Sequence, residues 1–366
     1  MYLPQYHQIP ENDMFWGKGF TDWDTTKNVK PLYKGHSQPR VPLNDNYYDL
    51  SKKESILWQA NLAKEYGISG FGIYHYWFND KKNILTQPAE IIYNNKDIAI
   101  NYFFAWDNIS WKRSWSNVTG NDWSPSSDEL VSAKSLNESS NDGVLIPYIL
   151  GDKNSWYIHF MWLLPYFKDD RYIKIDEKPL FVIYHCSDGI LKMCEYWNQL
   201  ATANGLKGIH VVFRKDYRKN ITNGHPVFLY EPSASSWDMV SVRIYRKCLR
   251  MLSICYGPKT FDYDKVWKRL LRTMSSHPEE SFIPSAFVGY DDTPRRGRKG
   301  TVITGQSPDK FGRYMQQLLD ITSRQGKPYL LLTAWNEWSE GAYLEPDKEN
   351  GYAYLEVLRD TLKEKT

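Results

Sequence analysis

Short apolar runs alternate with helix-patterned segments along most of this 366-residue chain, and this alternation restricts the possible folds more than any other feature. Apolar runs of such length are typical of buried strands, and strands separated by helices favour a parallel sheet. Counting a stub at Tyr2, the sequence contains eight strand candidates. They are Tyr2 and residues 70–78, 98–106, 178–185, 209–214, 227–232, 282–292 and 329–333.

Helical spacing of apolar residues marks the segments between the strands. The segment 51–67 begins with Ser51 as a candidate N-cap and ends on Gly67, a residue type common just after a helix. The other predicted helical segments are 88–96, 153–167, 189–205, 263–276, 307–326 and 352–365. Two turn-rich stretches, 11–24 and 107–142, are predicted to be long loops.

Eight strand–helix units over this length predict an α/β fold, a single (β/α)8 TIM-type barrel spanning residues 1–366 with long βα loops. Two domains, or an open doubly wound sheet, are the alternatives that the length permits. Neither GxGxxG nor GxxxxGK[ST] follows a strand, so the open nucleotide-binding sheet lacks its main support. In a barrel of this type the active site lies at the carboxyl ends of the strands.

The eighth strand ends in a group of residues that a core does not tolerate unpaired. The run at 329–333 leads into Trp335, Asn336, Glu337, Trp338 and Glu340. In a continuing strand the two glutamates would face opposite sides, but the Ser-Glu-Gly sequence at 339–341 can turn the chain and bring both into one cleft. Paired carboxylates beside indole rings suit the cleavage of a glycosidic bond, although an exposed glutamate pair after a strand is more often a solvated loop or a helix N-terminus.

Polar and aromatic residues also end most of the other predicted strands, as an active-site rim requires. His75 either binds a sugar hydroxyl or packs between Tyr74 and Tyr76, and His7 and His185 share this ambiguity. Glu231 and Asp291 are candidates for binding hydroxyls or tuning the glutamate pair. The candidate substrate-binding residues are Tyr6, His7, Tyr74, His75, Trp77, Trp106, Asp107, Asn108, Tyr184, Tyr230, Glu231, Asp291, Arg295, Trp335, Asn336 and Trp338; the candidate catalytic residues are Glu337 and Glu340.

A compact basic loop, residues 293–300, follows the seventh strand candidate. Its arginines Arg295, Arg296 and Arg298 are candidates for binding an anionic sugar or the phosphate of a nucleotide or lipid carrier. No metal and no cofactor is predicted, because His7, His75, Asp107 and Glu231 show neither HxH nor HExxH spacing.

Composition excludes several classes of function. Lys and Arg total 46 and Asp and Glu 43, for a net charge of +3 without a polybasic arm, so nucleic acid is not an expected partner. The aromatic share of 16% is high, as in many proteins that bind flat sugar faces. No apolar run approaches the roughly 18 residues of a membrane span. The expected partner is an oligosaccharide or polysaccharide.

Four cysteines, at positions 186, 194, 248 and 255, are too few for a disulfide framework and lack zinc spacing, so reduced thiols are expected. The first residues carry neither a basic nor an apolar leader region. A cytoplasmic protein is therefore predicted, and the sequons at Asn117 and Asn137 are expected to have no role.

Long motifs in this sequence resemble those of a known family. The chain resembles the WbsX family in six segments that follow one another in the same order. They are YLPQYHQIPENDMFWGKGFTDW, GISGFGIYHYWF, LLPYFKDDRYIKIDEKPLFVIY, YDDTPRRGRKGT, AWNEWSEGAYLEPD and YAYLEVL. These bacterial proteins are described as glycosyltransferase WbsX or as having a glycoside hydrolase family 99-like domain. The resemblance covers essentially the whole chain and implies a (β/α)8 barrel that makes or trims surface polysaccharide such as O-antigen.

The resemblance also implies roles for the two glutamates. In the related family 99 endo-mannosidases an NEWxE motif supplies both catalytic carboxylates, and the matching residues here are Glu337 and Glu340. Those enzymes retain anomeric configuration and are thought to use the 2-hydroxyl of the sugar as internal nucleophile. Glu337 would then assist that hydroxyl and Glu340 would be the general acid/base. This chain departs from the family after the third strand, where WDNISW at 106–111 replaces a sequence close to WANENW.

Three functions therefore remain. The first is a retaining, endo-mannosidase-like glycoside hydrolase acting on a bacterial surface polysaccharide or oligosaccharide. The second is a glycosyltransferase in O-antigen, lipopolysaccharide or capsule biosynthesis. The third is a non-catalytic glycan-binding barrel, which would keep the tryptophans and tolerate loss of either glutamate.

Overall fold

Helices and strands alternate along the described chain. The computed structural model describes residues 1–112, 144–215, 222–237, 244, 257–279 and 281–364. The helices are α1 (Pro10–Trp16), α2 (Asp22–Lys27), α3 (Lys53–Glu65), α4 (Gln87–Asn94), α5 (Lys153–Lys168), α6 (Asp188–Ala203), α7 (Ser233–Trp237), α8 (Tyr263–Ser276), α9 (Thr293–Arg296), α10 (Pro308–Arg324) and α11 (Ala353–Lys363).

The strands are mostly short. They are β1 (Gly70–Asn79), β2 (Lys82–Ile84), β3 (Asn101–Trp106), β4 (Trp111–Lys112), β5 (Val144–Ile146), β6 (Lys174–Ile175), β7 (Lys178–Ile183), β8 (His210–Arg214), β9 (Val227–Phe228), β10 (Lys259–Asp262), β11 (Phe282–Ile283), β12 (Ser285–Phe287), β13 (Thr301–Thr304), β14 (Leu331–Thr333), β15 (Asn336–Glu337) and β16 (Ala342–Tyr343).

The described residues form two structural units. The first unit holds residues 1–21, 48–112, 144–215 and 222–228, and the second holds 22–47, 229–237, 244, 257–279 and 281–364. The single domain over 1–366 stays a prediction.

A parallel sheet forms the centre of the first unit. Its strands pair in the order β9, β8, β7, β3 and β1, each parallel to its neighbour, and β2 returns antiparallel along β1. The predicted stub at Tyr2 is one parallel bridge to Ile73. In register, His75 of β1 lies opposite Trp106 of β3, which lies opposite Ile183 of β7. The ends of three strands are therefore aligned.

Close packing between β1 and β3 depends on glycine. A Cβ on Gly72 would lie 2.4 Å from the ring of Phe103, so a side chain at this position would displace that ring. Buried aromatic residues fill both faces of the sheet, and the completely buried ones include Phe71, Phe104 and Trp197. Much of the high aromatic content therefore belongs to the core of the first unit.

The second unit contains shorter pairs. Strands β10 and β13 are parallel, as are β12 and β14, while β15 and β16 form an antiparallel hairpin. The predicted strand at 282–292 is broken into β11 and β12 at Pro284, which has no N–H for a sheet. The strand predicted at 227–232 is shorter than expected, since β9 ends at Phe228.

The sequence predicted the longer helices within a few residues but not α7 or α9, and α9 lies in the predicted basic loop 293–300. Ser51 does not cap α3, because Lys52 is the N-cap and no side chain accepts a capping hydrogen bond there. The segment 11–24 is not a continuous loop, since α1 and α2 occupy most of it. Residues 113–143, with both sequons and most of the predicted loop 107–142, lie outside the described residues, as do Cys248 and Cys255.

An ion-pair cluster in the first unit ties α4 to the segment before β6. Arg171 donates to the carbonyl oxygens of Tyr93, Asn95 and Ile98 and to the carboxylate of Asp169 at 2.8 Å. Burial alone would raise the pKa of Asp169, but hydrogen bonds from Arg171 and Lys96 hold this pKa well below its usual range.

We expect Arg171→Met to lower the free energy of unfolding by about 3 kcal/mol, because it leaves a buried carboxylate and three carbonyls without their main donor. Urea denaturation measures this change. Lys207→Met is the matched control, since Lys207 pairs with Glu177 at the surface and its loss should cost less than about 1 kcal/mol. Equal losses in the two variants would contradict the buried role of Arg171.

Candidate active site

The hairpin after β14 carries the two candidate catalytic glutamates. Glu337 ends β15, residues Trp338–Glu340 form one 3-10 turn, and Gly341 follows with a left-handed φ of 57°. A Cβ on Gly341 would lie 2.9 Å from the backbone nitrogen of Asp291, so only glycine fits both the angle and the space. The chain does turn at 339–341, as the sequence indicated.

Glu337 and Glu340 differ in their surroundings. Glu337 is 3% exposed, and the hydroxyl of Tyr230 lies 3.4 Å from each of its carboxylate oxygens. The side chain of Glu340 is 18% exposed, and its Oε1 accepts a hydrogen bond from Nη1 of Arg295 at 2.9 Å. One carboxylate therefore lies below the surface beside a phenol, and the other is an ion-paired group that solvent reaches.

Tyr290 is the residue on which both charges act. Loss of hydration raises the pKa of its phenol well above the ordinary value, and the charges of Glu340, Asp292 and Glu337 raise it further. The backbone N–H of Asp291, the next residue, donates to the carbonyl oxygen of Glu340 at 2.6 Å, so Tyr290 lies beside the hairpin that carries both glutamates. The sequence pointed to two neighbouring acid groups; Tyr290 is the site residue that it missed.

Arg295 connects Glu340 to α2 within the second unit. Its Nε donates to Oγ of Ser339 at 2.7 Å, and its Nη2 lies 3.3 Å from Oδ2 of Asp22. Ser339 in turn donates to the same oxygen of Asp22 at 2.6 Å. The prediction that Arg295 binds an anionic ligand is revised, because its guanidinium is bound by two carboxylates of the chain itself. Arg296 likewise pairs with Asp292.

The tryptophans predicted to bind sugar beside the two glutamates are buried in the structure. Trp338 is 1% exposed, stacks on Tyr343 with ring centroids 3.8 Å apart, and donates its indole N–H to Glu345 at 2.7 Å. Its expected role in stacking a sugar is therefore wrong in this conformation, and the indole supports the hairpin from inside. Trp335 and Asn336 are also buried.

Asp291 and Glu231 are buried anchors, not open ligands for hydroxyls. Asp291 accepts hydrogen bonds from His36, Gln38 and Thr293; burial would raise its pKa, but these bonds hold it below the usual value. Glu231 accepts from the backbone N–H and hydroxyl of Ser235, and burial raises its pKa to about 7.

Asp292 is a further acid that the sequence analysis did not single out. It is buried, and burial raises its pKa to about 6, with the charge of Glu340 adding to the effect. Its position directly after Tyr290 and Asp291 in the YDD sequence was the available signal.

The predicted site residues of the first unit separate into buried groups. Tyr6 and His7 are buried, and burial lowers the pKa of His7. The hydroxyl of Tyr184 donates to that of Tyr74 at 3.2 Å. Trp106 donates to the carbonyl of Trp77. These side chains are buried, and their role in binding substrate stays a prediction.

His75 belongs to the core and not to an open rim. Its Nε2 lies 2.8 Å from Nε2 of His159, and the indole of Trp77 stacks on His159 with centroids 4.2 Å apart. Burial lowers the pKa of His75 to about 3 and that of His159 well below its usual value. The predicted contact of His75 with a sugar hydroxyl is therefore corrected to a neutral core pair.

Asp107 and Asn108 follow β3, where the sequence departs from the family pattern. Asp107 is partly exposed. Asn108 is buried and holds the backbone of His185, accepting from its N–H and donating to its carbonyl, both at 2.8 Å.

In the described ranges, no group of three His, Cys, Asp or Glu residues is placed to hold a metal ion. Within those ranges no helix is both long and apolar enough to cross a bilayer.

Solved structures share the arrangement of this chain. The GH99 endo-alpha-mannosidase from Bacteroides thetaiotaomicron aligns with a TM-score of 0.56 and 14% identity, over 99% of this chain and 95% of that one. Its complex with bis-tris-propane gives 0.55 and 15% with the same coverage. A glycoside hydrolase-like protein gives 0.54 and 12%, over 96% and 99%. The likeness shows the fold, and the predicted class, a (β/α)8 barrel, is confirmed.

The chain belongs to the family described as Glycosyltransferase WbsX, which matches residues 1–358. The uncharacterized protein WxcX from Xanthomonas campestris pv. campestris, strain B100, is 28% identical over 371 residues, and its counterpart from strain ATCC 33913 is equally similar. The match covers 99% of this chain and 49% of each relative, so the chain spans about half the length of these curated relatives.

Proposed function

We propose that the protein is a retaining glycoside hydrolase acting on a bacterial surface polysaccharide or oligosaccharide. The observation that carries the proposal is the position of Glu337 and Glu340 on one glycine-dependent hairpin, where Glu337 lies beside the hydroxyl of Tyr230 and Glu340 is paired with Arg295. Two carboxylates in different environments are the usual equipment for acetal cleavage, since one must donate a proton while the other stays ionised. The endo-alpha-mannosidase names of the structural neighbours agree with this class of reaction.

In the proposed reaction, Glu337 removes the proton of the 2-hydroxyl, whose oxygen attacks the anomeric carbon as the glycosidic bond breaks. Glu340 gives its proton to the departing oxygen and then takes a proton from the water that opens the intermediate, while Glu337 returns its proton to the 2-oxygen. Arg295 donates to Oε1 of Glu340 and would stabilise the charge that Glu340 carries after giving up its proton. The hydroxyl of Tyr230 beside both oxygens of Glu337 would orient that carboxylate.

A glycosyltransferase of surface-polysaccharide assembly is the second candidate, because the family to which the chain belongs carries that description. Cytoplasmic action is part of either proposal, and the free Cys186 and Cys194 fit a reducing compartment. Other assembly enzymes remain proposed partners. In this alternative the hydrolase-like carboxylates would act on an activated donor instead of a finished glycan.

Hydrolysis and sugar transfer can be distinguished because they require different substrates. The purified protein is incubated with α-linked manno-oligosaccharides alone, and separately with nucleotide sugars and an acceptor glycan, and the products are followed by mass spectrometry and NMR. The hydrolase proposal expects cleavage in the first mixture, with the product anomer retained. Sugar transfer in the second mixture without cleavage in the first would overturn it in favour of the transferase.

We expect Arg295→Met to lower kcat by about tenfold to a hundredfold, because Glu340 loses the donor that holds it. Arg295→Lys should recover part of the loss, since one hydrogen bond and the charge remain. Initial rates over a range of substrate concentrations measure the effect on kcat and KM separately. A change confined to KM would indicate that Arg295 binds substrate and does not position Glu340.

A further inference from the structure

A cavity of about 280 Å³ lies within the first unit, where β7 and β8 end and α6 begins. Asn108, Tyr184, His185, Ser187 and Arg214 are among the residues that line it. Its volume is near the lower end of small-ligand sites, about 300 Å³. The cavity therefore has room for one sugar residue or one phosphoryl group, not for a long glycan.

Arg214 provides the positive charge of this cavity. It is the last residue of β8, and its guanidinium lies over the ring of Tyr184, 5.2 Å from the centroid. Its Nη2 is 3.2 Å from Nε2 of His185, a nitrogen that accepts a hydrogen bond only when the imidazole is neutral. Among the described residues that line the cavity there is no Asp or Glu, and in the same part of the chain no carboxylate pairs with Arg214.

The walls around Arg214 are fixed by other contacts. Asn108 holds the backbone of His185 through two hydrogen bonds, and Tyr184 is held by its contact with Tyr74. Ser187, the N-cap of the 16-residue helix α6, accepts from the N–H of Ile190, so the positive end of that helix borders the cavity. An arginine stacked on a fixed ring loses little freedom on binding an anion.

We propose that this cavity binds an oxyanion that forms part of a sugar ligand, with Arg214 as its main recognition residue. Two sources share this chemistry: the carboxylate of an acidic sugar, and the phosphate of a sugar phosphate or nucleotide sugar. Guanidinium groups bind both through paired N–H donors. The proposal does not depend on the assignment of Glu337 and Glu340, which it leaves untouched.

Isothermal titration calorimetry on the full chain tests the site with glucuronic acid, mannose 1-phosphate, a nucleoside diphosphate and neutral mannose as probes. We expect at least one anionic probe to bind saturably and more tightly than mannose. Arg214→Gln should weaken that binding about tenfold or more, as the loss of a charge-assisted hydrogen bond predicts. The carboxylate and phosphate arms tell which source the site accepts.

Arg313→Gln is the matched control, because Arg313 also lies over a tyrosine ring, at 5.1 Å from the centroid of Tyr314, but is exposed and faces Asp264. It should bind the probes as the wild type does. If no anionic probe binds better than mannose, or if Arg214→Gln binds as well as Arg313→Gln, the proposal is overturned.

A second measurement needs no variant. Cys186 lines the same cavity, so a bound anionic probe should slow its alkylation by N-ethylmaleimide, followed by mass spectrometry of the peptide that contains it. Burial raises the pKa of this thiol to about 11, so labelling is slow enough to time. Equal alkylation rates with and without a probe that calorimetry shows to bind would place that probe elsewhere and reject the cavity as its site.

Discussion

Glu337→Gln and Glu340→Gln are each expected to lower turnover by roughly 10²- to 10⁴-fold, the range typical of a lost general acid or base. Glutamine keeps the size of each side chain, so the hydrogen bond from Tyr230 or from Arg295 retains an acceptor oxygen. Steady-state rates on the oligosaccharide that the wild type cleaves measure the loss. Calorimetry with the same oligosaccharide should show binding within about threefold of wild type, since neither substitution removes volume.

The two variants should differ with an activated substrate. An aryl glycoside with an acidic leaving group needs no protonation, so Glu340→Gln should recover much of its glycosylation rate on such a substrate while Glu337→Gln should not. Glu349→Gln is the control, because that glutamate lies at the surface with its side chain 58% exposed. Unchanged turnover in both site variants would remove the catalytic assignment and favour a non-catalytic glycan-binding barrel.

Acidification is expected to destabilise the first unit through His75 and His159. Their Nε2 atoms share one hydrogen bond, which requires one donor and one acceptor, so at least one of the two rings is neutral in the folded state. Burial lowers the pKa of His75 to about 3. The unfolded chain binds protons near pH 6.5 while the folded chain does not, so stability is complete above that pH and falls as the pH drops toward 3.

The free energy of unfolding lost through His75 alone should approach about 4 kcal/mol as the pH falls toward 3, since each unit of pKa shift is worth about 1.4 kcal/mol. Urea denaturation between pH 7 and 4 measures it in the wild type and in His75→Leu/His159→Leu, which cannot titrate. Glu231 and Asp292, whose pKa values burial raises to about 7 and about 6, act in the opposite direction. The difference between the two proteins isolates the pair, and equal slopes would show that it is not held neutral.

The spacing of apolar residues predicted the structure correctly wherever local sequence determines it. Helices such as α8 at Tyr263–Ser276 and strands such as β1 and β8 lie where the apolar spacing predicts them, because each buries a face that local sequence defines. The hairpin at 339–341 was predictable for the same reason, since Gly341 admits the left-handed backbone that the turn requires. The count of eight strand–helix units predicted the barrel, which the structural neighbours confirm.

Pairing across the chain was not predictable from local pattern. Nothing near Arg295 indicates that Asp22, far away in sequence, accepts from its guanidinium, and nothing near His75 indicates His159. The aromatic content suggested sugar stacking, but it is the same whether a ring faces a ligand or the core. Trp338 is the main example, because it is buried.

Local sequence settled the kinds of element, their order and the hairpin that bears Glu337 and Glu340, because backbone sterics and apolar period act over a few residues. Tertiary packing alone settled which polar side chains are neutralised inside the protein and which keep contact with solvent. The physical reason is that burial and ion pairing depend on partners brought from distant parts of the chain, as Tyr230, Tyr290 and Arg295 are brought to the two glutamates.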